Sequence, residues 1–199
     1  MIRIELKTEG LRQTLARFEG RLSNFAKPLE EVGIYMVSST VRKIKSNIPP
    51  PNSPFTQRVK GGNLTLRDTG RLMSSIAYRK GPNYVAIGTN VKYARIQQLG
   101  GVITPKRARK LAIPASAETR RLMRRHGASV RAALEGLRSS GWRIWFRERS
   151  IMGQKGGSKP QVLFVRKESV KIPARPFLKV DDGDRQVIVN IFRRYLEVS

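Results

Sequence analysis

Three stretches of this chain hold residue types that could do chemistry. Asp68-Thr69-Gly70 is a triplet in which a carboxylate can activate water, but that reaction needs two such carboxylates in contact, from a second lobe or a second subunit. The chain has one triplet, followed at once by Arg71-Leu72, so a helix cap is the stronger reading, with Asp68 or Thr69 accepting from the first free amides. Gly153 to Lys159 mixes glycine with lysine, yet it lacks the Gly-x-x-x-x-Gly-Lys-Ser/Thr spacing and the preceding apolar strand of a phosphate cradle. It reads as a flexible basic loop able to become ordered against a partner. Trp142, Trp145 and Phe146 lie among Arg138, Arg143, Arg147 and Arg149, a mixture suited to stacking on single-stranded bases. The same spacing suits a strand or helix that buries its aromatics against the core or a neighbouring subunit while the arginines stay in water.

Composition narrows the choice. The chain has one histidine, His126, and no cysteine, which argues against imidazole-based catalysis and excludes disulfides, thiolate metal sites and cysteine nucleophiles. No cofactor is expected. No apolar run is long enough to span a membrane, and the N-terminus alternates charged and apolar residues rather than forming a signal peptide, so the protein is expected to be made and kept in the cytoplasm until assembly. The 199 residues suffice for one domain with a real core, or a core domain with an insertion.

Charge is the strongest bulk signal: 40 Lys+Arg against 14 Asp+Glu, a net charge of +26. Such an excess predicts attraction to a polyanion or to an acidic protein surface. It is uneven, with 19 basic against 4 acidic residues between positions 101 and 176. Residues 103–160 therefore read as a basic insertion, set in a core made of residues 1–102 and 161–199. Within it Lys106, Arg107, Arg109, Lys110, Arg120, Arg121, Arg124 and Arg125 are the candidate contacts to DNA or an acidic partner.

Several elements are expected to position these residues. Ile2, Ile4 and Leu6 alternate with charge as in a half-buried strand, and Thr8 can cap a helix carrying Leu11, Leu15, Phe18 and Leu22. A longer helix is predicted from Lys27 to Ser46, with Pro28 in its first turn. Four prolines between Ile48 and Pro54 predict a loop running to about Arg67. A capped helix then starts at Asp68, Gly81-Pro82-Asn83 turns a hairpin between Ala77–Lys80 and Tyr84–Gly88, and Asn90 can cap a helix over Val91 to Leu99, ended by Gly100-Gly101. Helices are predicted over Ala117 to His126 and Ser129 to Leu137, and strands around Val162 to Val165 and Ser169 to Ile172. A closing helix over Asp182 to Leu196 should bury Val187, Ile188, Ile191, Phe192 and Tyr195, with Asp181, Asp182 and Asp184 at its positive end. Ahead of it, two prolines stiffen Ile172 to Leu178. Arg175 within that stretch has no core purpose, so it is expected to form a salt bridge within or between subunits.

Four phrases carry a resemblance: Asp68 to Leu72 with Ser75-Ile76, Ile87-Gly88-Thr89-Asn90, Tyr93 to Gly101, and Ile172 to Leu178. In this order they resemble the phage virion morphogenesis family, also called tail completion proteins, of Mu-like phages and prophages. The resemblance spans roughly residues 30 to 198, with the basic segment as a variable insertion. Members often carry histidine where this chain has Gln97 or Gln98, so a role for that imidazole does not transfer.

The resemblance implies an α+β fold, a small antiparallel sheet packed against two or three helices, that assembles into a ring without catalysis. The ring, a hexamer by analogy with tail symmetry, would sit at the neck or head-proximal end of the tail. It would contact head connector or neck proteins and tail terminator or tail tube proteins, with DNA passing through its lumen. Arg71, Arg175, Phe177, Trp142 and Trp145 are the expected interface residues. The rival reading is a sequence-independent nucleic-acid-binding protein.

Overall fold

The structure, a computed structural model, describes Gly20 and residues 25–197. The strand expected at residues 2–7 and the helix expected after Thr8 lie outside the described residues. The rest is α+β, with seven helices and small antiparallel sheets among the described residues. The described residues divide into two compact units: those up to 46, 70–92 and those from 177 form the first, residues 47–69 and 93–176 the second.

In the first unit, helix α1 (Ala26–Lys45) buries Leu29, Val32, Met36 and Ile44 on one side, the stripe its apolar spacing predicts. Pro28 sits in its first turn, where no intrahelical donor is lost. The short α3 (Arg71–Ser74) leads into the hairpin of β1 (Ala77–Lys80) and β2 (Val85–Gly88), paired from Ala77 opposite Gly88 to Lys80 opposite Val85. Val32 and Met36 of α1 meet Val85 and Ile87 of the hairpin and Ile191 of the last helix, α7 (Asp182–Glu197), in one apolar cluster. Gly33 is the point of closest approach: a Cβ there would come within 2.5 Å of the Tyr78 ring. Phe25 packs edge-on to Phe192, with ring centroids 5.8 Å apart. Of the predicted stripe on α7 only Ile191 is fully buried; Val187, Ile188, Phe192 and Tyr195 are half-buried.

The second unit corrects the sequence reading in several places. The proline-rich stretch contains a helix, α2 (Pro54–Lys60), whose Ser53 hydroxyl accepts from the Thr56 amide and whose end is turned by Gly61 in the left-handed region. Proline at a first helical position loses nothing, because that N–H has no partner in any case. The helix after Asn90 is shorter than expected, α4 (Ala94–Leu99), and Asn90 does not cap it. Three strands escaped the sequence reading altogether, β3 (Gly101–Ile103), β4 (Leu111–Pro114) and β6 (Ser150–Lys155). Helices α5 (Ala117–Arg125) and α6 (Val130–Ser139) match their predictions and carry serine caps at Ser116 and Ser129.

Strands β5 (Trp142–Phe146), β6 (Ser150–Lys155) and β7 (Gln161–Lys167) join β4 in an antiparallel sheet of order β4-β7-β6-β5, and β8 (Val170–Ile172) pairs with β3 alone. Residues 103–160 thus fold together with β7, which follows them, around a cluster of Leu134, Leu137, Ile151, Leu163 and Phe164. The basic glycine loop is also shorter than expected, since Gly153, Gln154 and Lys155 belong to β6. Gly153 faces the core, where a Cβ would press on Leu163 and on the Trp142 ring.

Candidate interaction surfaces

The recurrent phrases of the sequence turn out to be joints. In the second unit, the Tyr93 to Gly101 phrase meets the Ile172 to Leu178 phrase at β3 and β8, where Gly101 pairs with Ile172 and Ile103 with Val170. Gly100 stops α4 with φ +71, and a Cβ on it would lie 2.8 Å from the Ala174 amide nitrogen and 3.1 Å from the Ile172 carbonyl oxygen. Only glycine satisfies both the left-handed backbone and that approach.

Arg175 completes this joint. Its side chain is 6% exposed, and its guanidinium donates to the Pro50 carbonyl at 2.7 Å, the Pro51 carbonyl at 3.2 Å, and Gln97 Oε1 and Asn52 Oδ1 at 3.5 Å each. All four acceptors are neutral. The expected salt bridge is therefore corrected: the arginine ties down the proline loop, whose prolines lack donors of their own and leave carbonyls to be satisfied. Burial without a carboxylate pushes the Arg175 pKa down.

In the first unit Ser75 and Thr89, each from one of these phrases, meet through hydroxyls, Ser75 Oγ lying 2.6 Å from Thr89 Oγ1, which also accepts from the Val91 amide at 3.2 Å. Asp68 and Thr69 do not cap α3. Gly70, in the left-handed region, occupies the cap position, and no side chain accepts there. Asp68 instead binds Arg120 at 2.5 Å and also Arg124, both on α5.

The candidate basic contacts are thereby sorted. Arg120 and Arg124 share one carboxylate, and Lys110 lies 3.7 Å from Glu148 and 3.8 Å from Glu168. Lys106, Arg107, Arg109, Arg121 and Arg125 are exposed, and no described carboxylate pairs with them. Of the eight candidates, these five are the ones with no described carboxylate partner.

The expected interface residues divide as well. Phe177 is fully buried, and Trp142 is half-buried, packing on the core cluster of the second unit. Arg71 is exposed at the start of α3, and Trp145 is partly exposed on β5. The sequence reading missed a different group: Leu99, 66% exposed, and Val102, 60% exposed, stand with Tyr93 and Ile103 along α4 and β3. Large apolar side chains on a two-stranded ribbon with open edges are a signature of an interaction surface.

A second missed feature lies in the first unit. Asp184, 2% exposed, receives Ser39 Oγ at 2.5 Å, the Asp181 amide at 3.0 Å, Tyr35 Oη at 3.2 Å and the Lys43 ammonium. Burial alone would raise its pKa, but the bonds from Lys43 and Ser39 outweigh it and hold the carboxyl far below the ordinary range. For Lys43, burial is likewise outweighed by Asp184 and Asp181, which raise its pKa. The pair fastens α7 to α1.

No curated protein and no solved structure matches the chain. The phage virion morphogenesis family matches residues 6–137, a span that includes the 103–137 segment read as a variable insertion and stops before Ile172. With more than half of its length matched, the chain belongs to the phage virion morphogenesis family, whose role is structural.

Proposed function

We propose that this protein completes the phage tail or joins it to the head at the neck, acting as a homo-oligomeric ring built by protein-protein interfaces. One observation carries the reading: the recurrent phrases are consumed in holding the backbone together, as with Arg175 and Gly100, while apolar side chains at Leu99, Val102 and Ile103 are left outside. A chain arranged in this way offers surfaces rather than a reaction centre.

Subunits meet through the α4 and β3 surface, and six of them form the ring by analogy with tail symmetry. Each subunit carries +26, so neighbours repel and the ring is favoured by salt or by an anionic partner. Head connector or neck proteins and tail terminator or tail tube proteins are the neighbours in the virion, and DNA passes the lumen with contacts to phosphate only.

Light scattering after size exclusion, at low and at moderate salt, with negative-stain imaging of the main peak, tests the reading. Rings that grow with salt and are lost on Leu99→Ser with Val102→Ser support it. A small species that binds duplex DNA tightly, with a steep salt slope, would replace it by sequence-independent nucleic-acid binding.

A further inference from the structure

The two faces of the four-stranded sheet in the second unit differ. Directly opposed residues on neighbouring strands project to the same side, and successive residues to opposite sides. Trp142 and Ile144 of β5 pack on the core cluster with α5 and α6 residues, so Arg143 and Trp145 face away. Trp145 opposes Met152, and Met152 opposes Val162. A register shift beside Met152 lets Leu163 and Phe164 both turn to the core, after which Val165, opposite Ile113, faces out again. The outer face therefore carries an apolar row, Trp145, Met152, Val162, Val165 and Ile113, crossing all four strands. None of the five belongs to the core cluster; Val162 is 41% exposed and the others are half-exposed.

The border of this row is cationic. Arg143 shares the face with Trp145, Lys167 shares it with Val165, and the two hairpin turns carry Arg147, Arg149 and Lys159. Between Trp142 and Glu168 there are seven Lys+Arg against two Glu, and both glutamates lie beside Lys110.

We propose that this outer sheet face docks an acidic amphipathic segment of a partner protein, one with an apolar stripe flanked by Asp or Glu. The apolar row accepts the stripe and the cationic border accepts the carboxylates. A second copy of this chain fits worse, because it would set the same cations against each other. A single-stranded nucleic acid also fits worse, because base stacking uses repeated planar rings and this row has one ring among four aliphatic side chains. The inference does not rest on the ring reading, which concerns α4 and β3.

The test uses the full chain with Trp142→Phe, leaving Trp145 as its one tryptophan. The probe is a synthetic helical peptide with leucine at i, i+3, i+4 and i+7 and glutamate elsewhere. Controls are the same peptide with serine for leucine, and oligo-dT. The expected result is a saturable blue shift of Trp145 emission, with the leucine peptide bound about tenfold or more tighter than the serine peptide. Met152→Ser with Val165→Ser should abolish that preference without changing the circular dichroism spectrum. Should that variant unfold, Arg143→Ser with Lys167→Ser must weaken binding and flatten its salt dependence. Equal binding of the two peptides, tighter binding of oligo-dT, no binding of either peptide, or a serine-sensitive dimer by light scattering would each overturn the proposal.

Discussion

Arg175 and Gln97 are joined twice: the Arg175 amide donates to the Gln97 carbonyl at 2.7 Å, and the guanidinium reaches Gln97 Oε1 at 3.5 Å. The main-chain bond survives any substitution, whereas the side-chain bond lies at the limit of useful length. The guanidinium's stronger contact is with the Pro50 carbonyl, at 2.7 Å. Arg175→Ala should therefore cost about 1.5–3 kcal/mol, because a buried guanidinium's charge-assisted bonds to the Pro50 and Pro51 carbonyls are lost, and Gln97→Ala under about 1 kcal/mol. Arg175→Lys should recover less than half of the loss, since an ammonium cannot reproduce the fork. Denaturant melts of the single and double variants check the ranking, and a coupling energy between the two side chains above about 1 kcal/mol would contradict it.

Asp184 and Lys43 set a pH window. The Asp184 pKa is depressed from 3.8, so its stabilisation is present above the unfolded value and is lost as pH falls below about 4. The Lys43 pKa is raised from 10.5, so its stabilisation is complete below that value and is lost at higher pH. Stability should be flat between these limits as far as this pair is concerned. Asp184→Ala should cost about 2–3 kcal/mol, because Ser39, Tyr35 and Lys43 lose a buried acceptor while Asp181 still lies 3.0 Å from the ammonium, and should shrink the acid limb that urea melts from pH 2 to 7 would otherwise show.

Two glycines separate propensity from packing. Gly33→Ala improves the intrinsic preference of α1 by about 1 kcal/mol, yet the new methyl meets the Tyr78 ring at 2.5 Å. Overpacking of that kind costs about 1–3 kcal/mol, so the net change should be destabilising. Gly100→Ala should be worse, because φ is +71 and the obstacle is backbone at 2.8 Å. Thermal melts showing either variant above the parent would refute the close packing at that position.

Neutralising Asp68 should change binding more than stability. Its partners Arg120 and Arg124 are partly exposed, where an ion pair contributes about 1 kcal/mol or less. Asp68→Asn should move the melting temperature by at most about 4 °C while freeing two arginines. Retention on a heparin column, read as the salt concentration at elution, should increase. Unchanged or earlier elution would show that these arginines do not belong to the anion-attracting surface.

Much of the local structure could be read from the chain, because its signals are local. Apolar residues at helical spacing marked α1 and α7, and Gly81-Pro82-Asn83 marked the hairpin. Even the missed α2 had its signals, a Ser53-Pro54 start and a Gly61-Gly62 stop, outweighed by the count of prolines around it. The family phrases were legible as devices and as an ordered set.

What they hold was not legible. Asp184 as a helix-end charge and Asp68 as a cap are the locally favoured roles; tertiary structure reassigned Asp184 to Lys43, 141 positions away, and Asp68 to Arg120, 52 positions away. Strands β3 and β4 are three and four residues long, too short for alternation to declare them, and exist because β8 and β7 supply their ladders. By itself the sequence determined charge, helix faces, turns and family. Only tertiary structure decided which buried charge finds which partner and which apolar side chains stay outside, because pairing between distant segments depends on the whole chain's packing and leaves no periodic mark in either segment.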